Sequence, residues 1–558
     1  MKKILVAAAI ILLAFFFRFN NLNWDDNFHL HPDERFLTMV GTAMKIPSSI
    51  SQYFDQRTSL LNPSNIGYNF FVYGRFPLIL TKYLAVVYKL DNYNDFTILG
   101  RQLSAFFDLL VVILIFKVVL LFEKRYRFSC TIKYWASFFY AITVLPIQLS
   151  HFFAVDTFLN FFMFASFYFA LRVGHDRPLQ NTILSATFFG LALASKVTAI
   201  FIFPLNLFFL IKTVFVRRQS LIKTIGFVLF YLFISYFTLR FADPYLFEKS
   251  NIFDPTINKN FVENIKSLQN MTVKNLDNWF PPMVQWLNKN SFTHSLINNI
   301  MFGFGIVNTL FLLLGIFNFQ FSIFTKFSNI KQQVLKNWQL IVVIIWVIGF
   351  FIYQSLQVTP TLRYFIFLYP FFAIFAAIGI NSLNKSNIYR LGSIILLLIW
   401  PLMFSSIYFH KNTRVDASEW IYKNLPNGSY ILSESWDDGL PLPITYNYNK
   451  RFDGEQLLVF DPDTPEKWQK MNESLKKADY YILSSNRGWG SIPTVSEKYP
   501  LMSEFYDKLL VNKNPSYKKI KEFRPYYYNF FKLPNDLVDE SFTVYDHPTV
   551  LIYKNTKK

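Results

Sequence analysis

Cysteine is nearly missing from this chain: Cys130 is the only one in 558 residues. Neither an internal disulfide framework nor a cysteine-built zinc site is therefore open to it. Charge is also scarce, at 16% of residues. No Walker A sequence, Rossmann fingerprint or internal repeat is present, so the usual nucleotide signatures and the repeat mark of many secondary transporters are lacking. Acidic residues number 36 against 55 Lys and Arg, a formal charge of +19. The basic residues fall in short clusters between apolar runs. That pattern belongs to membrane topology and anionic headgroups and gives no reason to expect a nucleic-acid partner.

What the chain has instead is apolar and aromatic surface, 53% and 20% of residues, too much for a soluble enzyme of this size. A bilayer core takes about 20 apolar residues per helix. The first candidate runs from Ile4 to Phe17 behind Lys2 and Lys3. Bulky Phe15-Phe16-Phe17-Arg18 offers no small-residue cleavage site, so a retained anchor with a cytoplasmic N-terminus is expected. Further spans are expected at Leu103 to Phe122, Tyr134 to Leu149, Thr157 to Leu171, Ile183 to Ser195, Val197 to Val216, Ile225 to Leu239, Ile297 to Phe317, Leu340 to Tyr353, Tyr364 to Ile380 and Leu391 to Phe409. The fold class implied is an α-helical polytopic membrane protein with about 11 spans, lying within residues 1–410.

Basic clusters fix the orientation. Lys124, Arg125, Arg127 and Lys133 follow the second span; Arg172 and Arg177 the fourth; Arg217, Arg218 and Lys223 the sixth; Lys326, Lys331 and Lys336 the eighth; Lys385 and Arg390 the tenth. By the positive-inside rule those loops face the cytoplasm. The outer loops at 18–101 and 240–296, and everything after His410, then share the outer side of the plasma membrane, and function is expected there.

The first outer loop is dense in chemistry: Asn23-Trp24-Asp25-Asp26-Asn27-Phe28-His29-Leu30-His31-Pro32-Asp33-Glu34-Arg35. Its two histidines and acidic pair leave a divalent metal open, although His29-x-His31 is a weak ligand spacing. The apolar stretch after Tyr73-Gly74-Arg75-Phe76-Pro77, ending near Leu90, is too short to cross a bilayer and reads as an interfacial helix. His151 and Asp156 bracket the turn between the third and fourth spans. Lys196 stands among apolar residues between the fifth and sixth, where a charge at membrane depth faces a cavity or a partner. Arg101 and Arg363 open the second and tenth spans and read equally well as helix-end side chains reaching the interface. Carboxylates and cations gathered at one membrane mouth suit a reaction that deprotonates a hydroxyl while stabilising a departing phosphate.

His31-Pro32-Asp33-Glu34, Tyr73-Gly74-Arg75-Phe76-Pro77, Gly100-Arg101-Gln102-Leu103-Ser104-Ala105, Ala154-Val155-Asp156, Gly190-Leu191-Ala192-Leu193-Ala194-Ser195-Lys196, and Arg363-Tyr364 with Tyr369-Pro370 together resemble bacterial relatives of the protein O-mannosyltransferases. These are polytopic C-type glycosyltransferases, a group that includes the lipid A aminoarabinose transferases. The resemblance covers the membrane half and implies a polyprenyl-phosphate-linked sugar as donor, with inversion on the outer face. It places the catalytic base at Asp33, with Glu34 beside it, and an acceptor- or donor-orienting acid at Asp156, near His31 and His151. It also assigns the donor phosphate to Lys196 and Arg363, and less directly to Arg101. The lumenal sensor domain of better-known members is missing between the spans, so the acceptor does not carry over: a protein, a glycolipid and a cell-wall glycan all remain open. The competing class is a lipid or sugar transporter or flippase in which the same charges line a pathway.

Residues 411–558 change to mixed polar and apolar composition. A helix at Thr413 to Leu425, stopped by Pro426-Asn427-Gly428, and strand-like runs at Tyr430-Ile431-Leu432, Tyr480 to Leu483 and Val550 to Tyr553 predict a small extracytoplasmic α/β domain. Trp436-Asp437-Asp438-Gly439 and Asn486-Arg487-Gly488-Trp489 read either as turns around core tryptophans or as carbohydrate-stacking segments. Tails resembling this one, including Tyr545-Asp546-His547-Pro548, occur in the bacterial relatives.

Overall fold

The computed structural model describes residues 2–126, 129–216, 221–278, 280–324, 330–382, 387–444, 448–534 and 537–558. Arg127, Arg217, Arg218, Lys326 and Lys385 of the basic clusters lie outside them. Every apolar stretch expected to span is helical. Helix α1 (Lys2–Phe19) is followed in the first loop by α2 (Pro32–Ala43), α3 (Ile50–Phe54) and α4 (Phe76–Tyr88). Helix α5 (Tyr93–Tyr126) begins well before the expected Leu103, so Arg101 lies inside it and not at its mouth. The third stretch is broken at Thr143 into α6 (Ile132–Ala141) and α7 (Val144–Ser150). Helices α8 (Val155–Arg172) and α9 (Pro178–Ser195) follow, and then a 3-10 turn, Val197–Ile202, leads into α10 (Phe203–Val216) and α11 (Leu221–Ala242).

Helix α12 (Lys259–Met271) lies in the second long loop, and α13 (Ser291–Asn298) meets α14 (Ile306–Phe324) through a single π-turn. Helices α15 (Ile330–Ser355), α16 (Tyr369–Ser382) and α17 (Asn387–Ser405) complete the membrane half. Among the described residues five helices are long and apolar enough to cross a membrane, and six if Ser291–Gly303 and Ile306–Asn318, bent by 110°, form one span. The broken segments are too short to pass that test individually. Ile4, Ile222, Leu229, Leu313, Ile345 and Leu391 are exposed on the helices, as lipid-facing side chains are, because hydrocarbon and not water surrounds them.

Without a hydrophobic drive inside lipid, helices associate through close packing and polar contacts. Helices α14 and α16 cross at paired glycines: a Cβ on Gly315 would stand 1.9 Å from the Phe375 carbonyl oxygen, and one on Gly379 the same distance from that of Phe311. The end of α1 is fastened by a fully buried Arg18, whose Nε donates to Asp108 Oδ2 at 2.6 Å while Tyr140 Oη donates to Asp108 Oδ1 at 2.5 Å. Removing either ion would leave the other unpaired at depth, a loss of about 3–5 kcal/mol.

The C-terminal part holds α18 (Thr413–Asn424), β1 (Tyr430–Glu434), β2 (Asp453–Leu457), α19 (Pro465–Lys477), β3 (Tyr480–Leu483), α20 (Pro500–Leu510), β4 (Tyr517–Phe523) and β5 (Val550–Asn555). They form one five-stranded sheet in the order β2-β1-β3-β5-β4. β1, β2 and β3 run parallel; β5 is antiparallel to β3 and β4. Side chains alternate across a strand, and the sheet uses both faces. Leu432, Tyr481, Leu483, Leu551 and Tyr553 pack on α19 and α20 through Met471, Leu475, Met502 and Tyr506. Ile431, Ile482, Val550 and Ile552 belong instead to the core shared with the membrane helices. The domain is thus seated on one end of the bundle.

Candidate active site

The site starts with the local geometry of α2. His31 is its N-cap, Pro32 occupies the first helical position, and Asp33 and Glu34 fill the first turn. This is a favoured opening for a helix, because proline needs no amide donor and acids suit the positive end of the dipole. His31 Nδ1 accepts from the Glu34 amide at 3.3 Å. Burial pushes its imidazole down to about 4, so it is neutral at pH 7.

Consecutive helical residues point about 100° apart, and the acidic pair divides accordingly. Glu34 turns inward. Its Oε2 accepts from Arg101 Nε at 2.8 Å and from the Phe153 amide at 2.7 Å, and its Oε1 accepts from Arg101 Nη2. Arg101 also donates to both Asp25 oxygens, at 3.0 and 2.8 Å, and to the Leu22 carbonyl at 2.6 Å. Glu34 and Arg101 are 0% exposed. Together they clamp the first loop to α5 and to the turn before α8.

Asp33 turns outward and pairs with Arg363, their side chains 29% and 18% exposed. Burial would raise this carboxyl, but the Arg363 guanidinium, followed by His31 and Lys196, holds it down to about 2. Lys196 Nζ donates to Asp156 Oδ1 at 2.9 Å and lies 4.7 Å from the Tyr364 ring centroid. The short turn that carries Lys196 is fixed from the first loop. The Gly74 amide donates to the Ser195 carbonyl at 3.1 Å, and a Cβ at Gly74 would stand 2.1 Å from the Ala194 carbonyl oxygen. Tyr73 is thereby set against Asp33, Arg363 and Asp156. The result is two carboxylates and two cations in mutual reach, balanced in charge.

The C-terminal sheet domain supplies residues that sequence reasoning did not assign. Asp539 is fully buried; its Oδ2 accepts from the Leu362 amide at 3.3 Å and its Oδ1 from Thr361 Oγ1 at 3.4 Å, so it holds the segment that presents Arg363. Tyr545 lies 4.8 Å from His31, ring to ring, and within electrostatic reach of Arg363 and Asp33. Arg35 on α2 donates to Asp438 at 2.6 Å. These contacts join residues hundreds of positions apart, and the sequence signals near them were the Trp436-Asp437-Asp438-Gly439 and Tyr545-Asp546-His547-Pro548 segments. Trp436 is not a core residue: it is 46% exposed, has φ of 71° and stands edge-on to Phe280 at 5.8 Å.

The histidines do not converge. His29 faces Asn94 and Thr97, at 2.9 and 3.1 Å. His151 is fully buried, stacked on Tyr408 at 3.6 Å, with its ring nitrogens facing the Ile147 and Asn20 carbonyls. Among the described residues no group of three or more His, Cys, Asp or Glu side chains could hold a metal ion.

The overall fold is shared with solved membrane proteins. The archaeal oligosaccharyltransferase AglB from Archaeoglobus fulgidus, solved with an inhibitory peptide and a dolichol-phosphate, superimposes with a TM-score of 0.51 at 12% identity, over 99% of this chain and 88% of that one. The same enzyme tethered to an acceptor peptide containing the NVT sequon gives 0.51 at 13% identity, over 93% and 72% of the two chains. ArnT from Cupriavidus metallidurans bound to undecaprenyl phosphate gives 0.42 at 13%, over 88% and 94%. Residues 82–240 match the family described as dolichyl-phosphate-mannose-protein mannosyltransferase. That segment carries Arg101, His151, Asp156 and Lys196, whereas Asp33 and Arg363 lie outside it. No curated protein matches the chain.

Proposed function

We propose that this protein is a membrane glycosyltransferase that moves a sugar from a polyprenyl-phosphate-linked donor to an acceptor hydroxyl at the outer face of the plasma membrane, inverting the anomeric carbon, with Asp33 as base. The observation that carries this reading is the Asp33–Arg363 pair: an ionised, part-exposed carboxylate bound to a cation that a lipid phosphate would claim. AglB was solved with such a lipid phosphate.

The donor phosphodiester engages Arg363, with Lys196 behind it, and draws the guanidinium away from Asp33. A sugar ring must stand between base and phosphate for inversion, so the two side chains part as the donor enters. Asp33, relieved of the charge that held its carboxyl near 2, becomes a better proton acceptor. The acceptor oxygen then bonds to the anomeric carbon. The bond from that carbon to the phosphate oxygen breaks with its electron pair on phosphate, and the hydroxyl proton goes to Asp33. Arg363 and Lys196 stabilise the charge left on the polyprenyl phosphate. Asp156 orients Lys196; Glu34 and Arg101 hold α2 so that Asp33 faces outward, and His31 and His151 brace the same loop.

The test is transfer by purified protein given radiolabelled polyprenyl-phosphate sugars and an envelope extract. Asp33→Asn is expected to lower the rate by about 10²–10⁴-fold with the fold intact. Equal transfer by the variant, or no donor consumed by the wild type, contradicts the reading.

A further inference from the structure

A cavity of about 540 Å³ opens in the soluble domain, walled by Trp489, Pro493, Thr494, Asp507, Lys532 and Pro534. It falls within the usual size of ligand sites, roughly 300–1,000 Å³. Its Trp489 wall is rigidly backed. The turn before it closes with the Gly490 amide donating to the Asn486 carbonyl at 2.7 Å. It rests on Glu434, whose Oε1 accepts from Tyr481 Oη and Tyr506 Oη, both at 2.5 Å, and a Cβ at Gly488 would meet Glu434 Oε2 at 2.5 Å. The indole Nε1 is buried and has no hydrogen-bond partner among the described residues. Asp507, on α20, and Lys532, just before Leu533, are both exposed and both line the cavity.

A pyranose has an apolar face of C–H groups and a rim of hydroxyls that both donate and accept. An indole and two prolines offer surface to the first, and a carboxylate, an ammonium and a threonine hydroxyl serve the second. Among the described residues no sheet strand lines the cavity, so an extended peptide finds no edge there to pair with. Gly490 borders this cavity and also a narrower cleft lined by Arg487, Glu540 and Val544. Val544 immediately precedes Tyr545, which faces Arg363 and Asp33. We infer that the Trp489 cavity binds a saccharide portion of the acceptor, so that the acceptor class is a glycan. This rests on the transferase reading above.

The experiment is calorimetric titration of the full-length protein in nanodiscs with chitotetraose, mannotetraose and a peptidoglycan disaccharide-tetrapeptide, with a Ser/Thr-rich peptide in parallel. At least one saccharide is expected to bind, weakened about ten-fold or more by Trp489→Ala and several-fold by Asp507→Asn or Lys532→Ala. The two surface variants keep the test open if Trp489→Ala does not fold. Absence of saccharide binding, equal binding by all variants, or binding of the peptide alone overturns the proposal. Saccharide binding is measured apart from transfer. Trp489-dependent binding with Asp33-independent transfer would fail only the catalytic reading, and the reverse would fail only this one.

Discussion

Asp33 and Glu34 are adjacent on one helix yet belong to ion pairs of opposite kinds. Glu34 shares Arg101 with Asp25 in a cluster closed to solvent on every side. Asp33 meets Arg363 where both retain exposure. A buried, fully hydrogen-bonded cluster has one stable arrangement, and breaking it leaves a charge stranded. A part-exposed pair exchanges partners with little loss, because water and an incoming anion compensate each side. Identical chemistry thus fixes the loop in one place and, in the proposed mechanism, receives the donor in the other.

Substitution separates the two. The largest effect on turnover belongs to Asp33→Asn, for which the expected fall in transfer is about 10²–10⁴-fold with stability changed by about 1 kcal/mol or less. Glu34→Gln should act the other way round, lowering stability by roughly 3–5 kcal/mol, visible as a fall in melting temperature in detergent; an unchanged melting temperature would mean that the buried cluster is not a clamp. Next comes Arg363→Lys, which keeps the charge but not the forked geometry that suits phosphate. Its mark should be a rise of about 10–100-fold in the donor KM, and an unaltered KM would remove Arg363 from the phosphate site.

Asp539→Asn sharpens the contrast from the C-terminal domain. It loosens the segment carrying Arg363 without touching donor, so a several-fold rise in donor KM with little change in kcat is expected; an unchanged KM would leave Asp539 a purely structural residue. The smallest effect concerns pH. Burial pushes Asp546 up to about 6, while Gln148 Nε2, donating at 3.1 Å, partly offsets it. A carboxyl raised on folding stabilises the folded state below its unfolded value, about 4, and loses that contribution as pH rises through 6. Any melting-temperature advantage of wild type over Asp546→Asn is therefore expected to shrink as pH rises from about 4 to 6, and a difference that stays constant across that range would remove Asp546 as a titrating group.

Much of this was legible in the chain, and the limits are physical. Apolar runs announce helices because the bilayer demands them, and each expected stretch is helical. The breaks at Thr143 and between Asn298 and Ile306 were not visible, since hydropathy averages over a window that a short turn barely changes. Lys196 stood out because a lone cation among apolar residues must be answered, and Asp156 answers it. Arg101 appeared to sit at a span's mouth only because its own helix begins earlier, at Tyr93. Partners of Arg101, and the roles of Asp539 and Tyr545, depend on contacts between distant segments that no local pattern records. Strand periodicity found β1, β3 and β5, whereas the exposed, polar β2 gives no such signal.

The central claim is tested most directly by measuring sugar transfer and melting temperature side by side for Asp33→Asn and Glu34→Gln, using purified protein and a polyprenyl-phosphate sugar that the wild type consumes. The expected result is a crossed pattern: Asp33→Asn stable and inactive, Glu34→Gln destabilised but active wherever it remains folded. Wild-type transfer by Asp33→Asn, or loss of activity in a fully stable Glu34→Gln, would contradict it.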